Sequence, residues 1–278
     1  MTAYSGDHII VAGSGRSGTT WLGNIIAGDD RRIIFEPFEC RRVPEFFDLG
    51  LRPYFPPCEQ FPQWHPKVAA LCAGHIKNAW TDQDCNRLDA ARYTGGVVIK
   101  EIRANGMLGW LSNNFPFKIV YVVRHPYAVV ASRIQQKWET HIDAYLKQPR
   151  LLQDFLSPFT ATITSAQSTA QKHAVMWCLE NLIPLRQMAE HQWIFCHYEE
   201  LATHPEAEAS RILRLLGLEF TPARMRALGE LSRTCSLDQK DSPAKDLADG
   251  RHVLPAEQRR EVREILDAFG IVLYQGQL

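Results

Sequence analysis

The chain has 278 residues, and its 31 Lys and Arg side chains are balanced by 31 Asp and Glu. That length suits one α/β domain with a substantial core, and zero net charge gives no reason to expect a nucleic-acid partner. The seven cysteines show no C-x-x-C pair and no zinc-ligand spacing. They read as reduced thiols, and with no signal-like or long apolar run the expectation is a cytoplasmic protein without an integral membrane segment.

In chain order, a short apolar strand at His8–Ala12 runs into Gly13–Leu22, GSGRSGTTWL, and a helix at Ser17–Ala27. A glycine-rich turn between strand and helix is a phosphate cradle: glycine admits close backbone approach, and the helix start offers unpaired N–H groups. The nucleoside-triphosphate loop reads G-x-x-x-x-G-K-[ST]. Gly13 and Gly18 keep its spacing, but Thr19 stands at the lysine position and the cation is Arg16. A second strand, Arg32–Phe35, leads to Glu36-Pro37-Phe38. The proline- and aromatic-rich stretch from Cys40 to His65 is too long for a simple connection and reads as a lid or wall over a site. A helix at Pro66–Ala79 precedes a strand at Val97–Lys100, which ends in Lys100-Glu101-Ile102-Arg103. A helix at Ala104–Asn113 and a strand at Lys118–Val123 follow, then a helix at Tyr127–Trp138. Pro149–Ser168 is Ser/Thr-rich and weakly periodic, expected as a mobile connection. A helix at Gln171–Glu190, a strand at Trp193–Cys196 and helices at Pro205–Leu216 and Ala256–Phe269 complete the chain. Apolar strands alternating with helices predict a parallel sheet covered on both faces.

The fourth strand ends at Arg124, followed by His125-Pro126 and a helix that carries Ser132 about two turns on. A strand-end arginine and a helix-borne serine suit the grip of one phosphate; an ion-pair role is the bland alternative. Together, RSGTTWL and VVRHPYAVVASR resemble the two signature segments of sulfotransferases that use 3′-phosphoadenosine 5′-phosphosulfate (PAPS). Phe35-Glu36-Pro37-Phe38 and Lys100-Glu101-Ile102-Arg103 resemble segments of the carbohydrate-type branch, and His197-Tyr198-Glu199-Glu200-Leu201 through Leu218 resembles the end of its core. The resemblance spans about residues 8–218.

It implies a single domain over residues 1–278: a three-layer α/β/α, P-loop NTPase-like sulfotransferase fold with a central parallel sheet. An acceptor-side insertion at about 40–92, helical or irregular, and a C-terminal loop at about 233–254 over the nucleotide belong to the same expectation. PAPS is the implied co-substrate and PAP the product, with no metal. Arg16, Ser17, Gly18, Thr19 and Thr20 are expected at the 5′-phosphosulfate and Arg124 with Ser132 at the 3′-phosphate. Trp21 and Tyr198 belong at the adenine, each alternatively a core residue, and Arg251 is a weak candidate in the late loop. The base is Glu36, with a carboxyl pKa raised in a closed site, unless it is an ion-pair partner of Arg16 or Arg103. Glu101 is the rival, expected to point away from Lys100. Lys100 faces the sulfuryl group and Arg103 the donor or acceptor. His125 reads as local structure, and His65 and His75 as surface or packing residues.

The acceptor implied is a small molecule or glycan bearing a hydroxyl, and the aromatic insertion is available to stack on it. Two rivals were weighed: a P-loop small-molecule kinase, which needs the missing lysine, and an inactive nucleotide-binding module, which predicts loss of the site cations. The sequence leaves oligomeric state open.

Overall fold

The computed structural model describes residues 7–83, 95–188, 190–230 and 254–274. Its sheet contains β1 (His8–Gly13), β2 (Ile33–Phe35), β3 (Val98–Glu101), β4 (Phe117–Val123) and β5 (Ile194–His197). They run parallel in the order β2-β3-β1-β4-β5, each within one residue of its expected bounds. The helices are α1 (Thr19–Ala27), α2 (His65–Cys72), α3 (Leu108–Asn114), α4 (Pro126–Gln135), α5 (Ile142–Leu146), α6 (Pro149–Leu151), α7 (Thr160–Ser165), α8 (Thr169–Gln187), α9 (Tyr198–Thr203), α10 (Pro205–Leu216), α11 (Pro222–Gly229) and α12 (Ala256–Phe269).

Strand alternation sorts the apolar residues into two layers. Ile9, Val11, Val120 and Val122 meet Leu22, Ile25 and Leu213 on one face. Ile10, Ala12, Ile119 and Tyr121 meet Val129, Trp177 and Leu266 on the other. Each strand is apolar on both sides because each side is covered, as in other parallel sheets. α8 packs on α4 and α12 and forms the spine of the second layer.

α8 begins at a capping box: Ser168 Oγ accepts from Gln171 N (3.1 Å) while Gln171 Oε1 accepts from Ser168 N (3.1 Å). Pro184, inside the helix, has no N–H to give the Glu180 carbonyl. Tyr121 Oη and Asn105 Nδ2 donate to that carbonyl instead, each at 3.0 Å. A break in the helix ladder thereby becomes a tie from α8 to β4 and to the turn after β3.

Two expectations need correction, and a third is narrowed. The helix expected to Ala79 stops at Cys72, because Gly74 (φ +68°) turns the chain and its N–H returns to Leu71 O (2.9 Å). The stretch 149–168 is largely helical: α6, a π turn (Leu152–Leu156), a 3₁₀ turn (Ser157–Phe159) and α7 follow one another. Leu151, Leu156 and Ile163 are buried in the second layer, which supplies what weak periodicity could not. The insertion's aromatics mostly pack on one another and on Trp110: Phe55 stacks on Phe61 (4.2 Å between ring centroids), and Phe46 and Trp64 lie nearly parallel at 6.3 Å. They form a wall with its own core; Phe47 alone among its large described aromatics is strongly exposed, at 72%.

If 149–165 is core rather than connection, Ile163→Ala should lower the unfolding free energy by about 2–4 kcal/mol in a denaturant titration. A change below about 0.5 kcal/mol, the level of a surface substitution, would show that the segment does not pack as described.

Candidate active site

Each site segment leaves the C-terminal end of a strand, the edge where open α/β sheets take their ligands. The loop after β1 spans residues 14–18. Arg16 and Gly18 both hold positive φ, +78° and +85°, so the backbone curls and aims successive amides inward. A side chain at position 18 would put its Cβ 2.4 Å from the Tyr198 ring, so Gly18 is required by space as well as by φ. Ser17 N donates to Ser14 O (3.1 Å) and closes the turn.

The helix start is built for an anion. Gly18 caps α1 without a side-chain acceptor, and the first turn, Thr19 and Thr20 included, carries no acidic side chain. Ser17 Oγ is buried and has no hydrogen-bond partner among the described residues. A buried hydroxyl without a partner is costly, and first-turn amides lack intrahelical acceptors. A phosphate-like group satisfies both and meets the positive end of the helix dipole.

Two further cation sites converge on the loop. Arg16 Nε donates to Ser132 Oγ (2.9 Å), joining both signature segments directly. Arg124 Nη1 donates to Arg16 O (3.1 Å), and its guanidinium lies 4.3 Å from the Tyr198 ring centroid. Tyr198 in turn meets Trp21 edge-on (6.2 Å), and Trp21 Nε1 donates to Leu228 O (3.3 Å). Arg16, Ser17, Gly18, Trp21, Arg124, Ser132 and Tyr198 are thus neighbours in space. Arg251 lies outside the described residues, as does nearly all of the late loop.

Sequence reasoning missed the layer beneath. Arg133 Nη2 donates to Ser14 Oγ (2.8 Å), Gly15 O (2.9 Å) and Glu180 Oε2 (2.5 Å). Ser14 Oγ also donates to Glu180 Oε2 (2.5 Å), and Arg52 Nη1 lies 2.8 Å from Glu180 Oε1. Burial alone would raise the Glu180 carboxyl; Arg133 and Arg52 outweigh it and hold it below the usual range. Trp138 covers the loop from outside, 2.6 Å from where a Gly15 Cβ would stand. The legible signal was a charged residue among apolar helical neighbours: Val129 and Val130 before Arg133, and Met176, Trp177 and Ile183 around Glu180.

A second cluster lies at the ends of β2 and β3. Phe35 pairs with Lys100 in register, and Glu36 N donates to Lys100 O (2.7 Å). Glu36 sits at φ +42°, an uncommon conformation for a residue with a side chain. Its carboxylate takes Lys100 Nζ on one oxygen and Arg103 Nη1 on the other, while Arg103 Nε reaches Glu39 (2.7 Å). The pairing with Arg103 is one of the two alternatives weighed; the partner beside it is Lys100, not Arg16. The expected upward pKa shift is overturned: burial pushes the Glu36 carboxyl up, but Lys100 and Arg103 outweigh it and hold it below the usual range. Glu101 does point away from Lys100. Its Oε1 accepts from Ile102 N (2.8 Å) and Arg103 N (2.7 Å) and its Oε2 from Phe38 N (3.0 Å), so it clamps the backbone. Burial and the Glu36 charge push its pKa up. His125 is local structure: Nδ1 accepts from Tyr127 N (3.2 Å) at the start of α4. His65 packs on Trp110 and Phe115, and His75 is exposed.

Comparison with known proteins gives the family: residues 8–222 match the Sulfotransferase family, and the chain belongs to it. Carbohydrate sulfotransferase 4 of Mus musculus is 24% identical over 177 residues, covering 60% of this chain; the chain spans only 42% of that relative's length. A sulfotransferase domain from the curacin biosynthetic pathway superposes with a TM-score of 0.55 at 16% identity, covering 97% of this chain and 99% of that one. The sulfotransferase domain of the Synechococcus PCC 7002 olefin synthase gives 0.52 at 16% identity, covering 97% and 96%. Among the described residues no group of three His, Cys, Asp or Glu side chains is arranged to hold a metal ion, and no helix is long and apolar enough to cross a membrane.

The carboxylates of the second cluster set a pH dependence. Burial opposes ionisation of Glu39, but Arg41 and Arg103 bring its pKa down from 4.5 to about 2; Glu36 is also lowered. Groups with a depressed folded-state pKa stabilise fully above the unfolded value and lose that contribution as pH falls through the folded one. Unfolding free energy should therefore fall between about pH 5 and about pH 2, and Glu39→Gln should flatten that limb in thermal or denaturant titrations. An unchanged slope would mean that Glu39 is not ion-paired in solution.

Proposed function

We propose that the chain transfers the sulfuryl group of PAPS to a hydroxyl of a small-molecule or glycan acceptor. The observation that carries this reading is the direct link between the two anion sites, Arg16 Nε to Ser132 Oγ, beside the unpartnered Ser17 hydroxyl. One loop thereby presents a helix start to one phosphate, and Arg124, bonded to the same loop's backbone and stacked on Tyr198, brings a cation to the other. A donor with phosphates at both its 5′ and 3′ positions matches that pair of sites.

The donor supplies an already activated sulfuryl group, so positioning and charge neutralisation are the main tasks left to the protein. Ser17, Gly18, Thr19 and Thr20 hold the 5′-phosphate through amides and hydroxyls, and Arg16 neutralises charge on the bridging oxygen as its bond to sulfur breaks. Arg124 and Ser132 hold the 3′-phosphate; Trp21 and Tyr198 flank the base. Lys100 and Arg103 draw the sulfuryl oxygens, and Glu36 receives the proton as the acceptor oxygen bonds to sulfur. Its lowered pKa makes Glu36 an ionised group ready to accept, and contact of Lys100 with the sulfuryl group would relax that depression. A kinase would need a lysine where Thr19 stands.

Arg124→Ala should weaken PAP binding by roughly 2–4 kcal/mol, about 30- to 1,000-fold, in calorimetry; unchanged affinity would remove Arg124 from the nucleotide site. Glu36→Gln should cut turnover by about 10²-fold or more while PAP affinity stays within a few-fold. Full activity of that variant would move the base role elsewhere.

A further inference from the structure

We infer that the cleft between residues 49–53 and 140–148 is the acceptor pocket, and that it takes a compact alcohol or phenol with an apolar body rather than a polyanionic glycan chain. This inference rests on the sulfotransferase reading for the chemistry and adds the class of acceptor.

The cleft has a volume of about 450 Å³, within the roughly 300–1,000 Å³ of small-molecule sites. Leu49, Leu51, Pro53 and Ala144 give it apolar walls; Thr140 and His141 stand beside them. Its charged lining is one lysine, Lys147, against one carboxylate, Asp143, both exposed. A chain of sulfates or carboxylates calls for a run of cations, whereas an uncharged acceptor needs apolar area and a few polar contacts to orient it.

Arg52 ties this cleft to the reaction centre. It lies between the lining residues Leu51 and Pro53 at φ +54°, and that turn sends its side chain inward, buried to 7% exposure. There Arg52 Nη1 donates to Ile102 O (2.5 Å) and pairs with Glu180. Ile102 is bonded to Arg103, which holds Glu36. From the other wall, Gln148 Nε2 donates to Arg52 O (2.9 Å), and Gln148 Oε1 accepts from Tyr54 N (2.8 Å). Both walls are therefore fixed to the segment that carries Lys100 and Arg103. Burial, then the nearby Arg52 and Arg41 charges, lower the His141 pKa. A neutral imidazole at physiological pH accepts a hydrogen bond from a hydroxyl.

The test uses 2-naphthol as probe, titrated by fluorescence into the wild-type protein and into Ala144→Trp and Leu51→Trp, which fill the cleft from opposite walls; PAP is titrated into each by calorimetry. Naphthol should bind the wild type with a dissociation constant of about 1 mM or below and at least tenfold more weakly to the filled variants, with PAP affinity unchanged within about twofold. No naphthol binding, or equal binding to all three proteins, overturns the assignment. Tighter binding of a desulfated heparin oligosaccharide, lost in the same variants, overturns the acceptor class. If PAP fails to bind the wild type while naphthol behaves as stated, the nucleotide reading falls and the pocket stands.

Discussion

The phosphate loop keeps its shape because a carboxylate is buried behind it. Glu180 has no exposed surface, and an ion so placed is tolerable only when its charge and hydrogen-bonding capacity are met. Arg133 and Ser14 donate to its Oε2, and the Arg52 charge lies 2.8 Å from its Oε1. Arg133 also grips the Gly15 carbonyl, so the same group that satisfies Glu180 fixes the curl of residues 14–18. The main chain of Glu180 takes part as well, since Pro184 frees its carbonyl for Tyr121 and Asn105, and Asn105 Nδ2 also reaches Gly13 O (3.2 Å). Breaking a buried pair by removing one partner costs about 3–5 kcal/mol. Loop, insertion and the long helix therefore share one electrostatic anchor.

Above that anchor the two halves of the site manage charge differently. The loop offers dipoles, hydroxyls and Arg16, which donates to the neutral Ser132 and lies beside the Trp138 ring. At the ends of β2 and β3, Lys100 and Arg103 are already neutralised by Glu36 and Glu39. In the proposed reaction an incoming sulfuryl group would compete for those cations and thereby change the basicity of Glu36. Positive φ at Arg16, Glu36 and Arg52 marks where the backbone was bent to bring such groups inward.

The sheet was legible because a parallel strand needs apolar residues on both faces, a pattern that survives in five short runs. The loop was legible because Gly13 and Gly18 answer steric demands that few other residues meet, and Arg124 because it ends an apolar strand. What could not be read depended on distant pairing. Nothing local says that Arg133 turns back to Gly15, or that Glu180 faces Arg52 across 128 residues of chain. The pKa of Glu36 was misjudged for the same reason: burial follows from its place after a buried strand, but the two cations that outweigh burial come from β3 and the turn that follows it. The helical character of 149–165 likewise comes from where Leu151, Leu156 and Ile163 find a core, not from local periodicity.

The most direct measurement is a calorimetric titration of the purified protein with 3′-phosphoadenosine 5′-phosphate beside ADP with Mg²⁺. A loop without the triphosphate-binding lysine, joined to a second cation site, should bind the bisphosphate at micromolar concentration and ADP at least tenfold more weakly, about 1.4 kcal/mol or more. Equal affinities, or a preference for ADP that depends on Mg²⁺, would contradict the account and return the loop to phosphoryl-transfer chemistry.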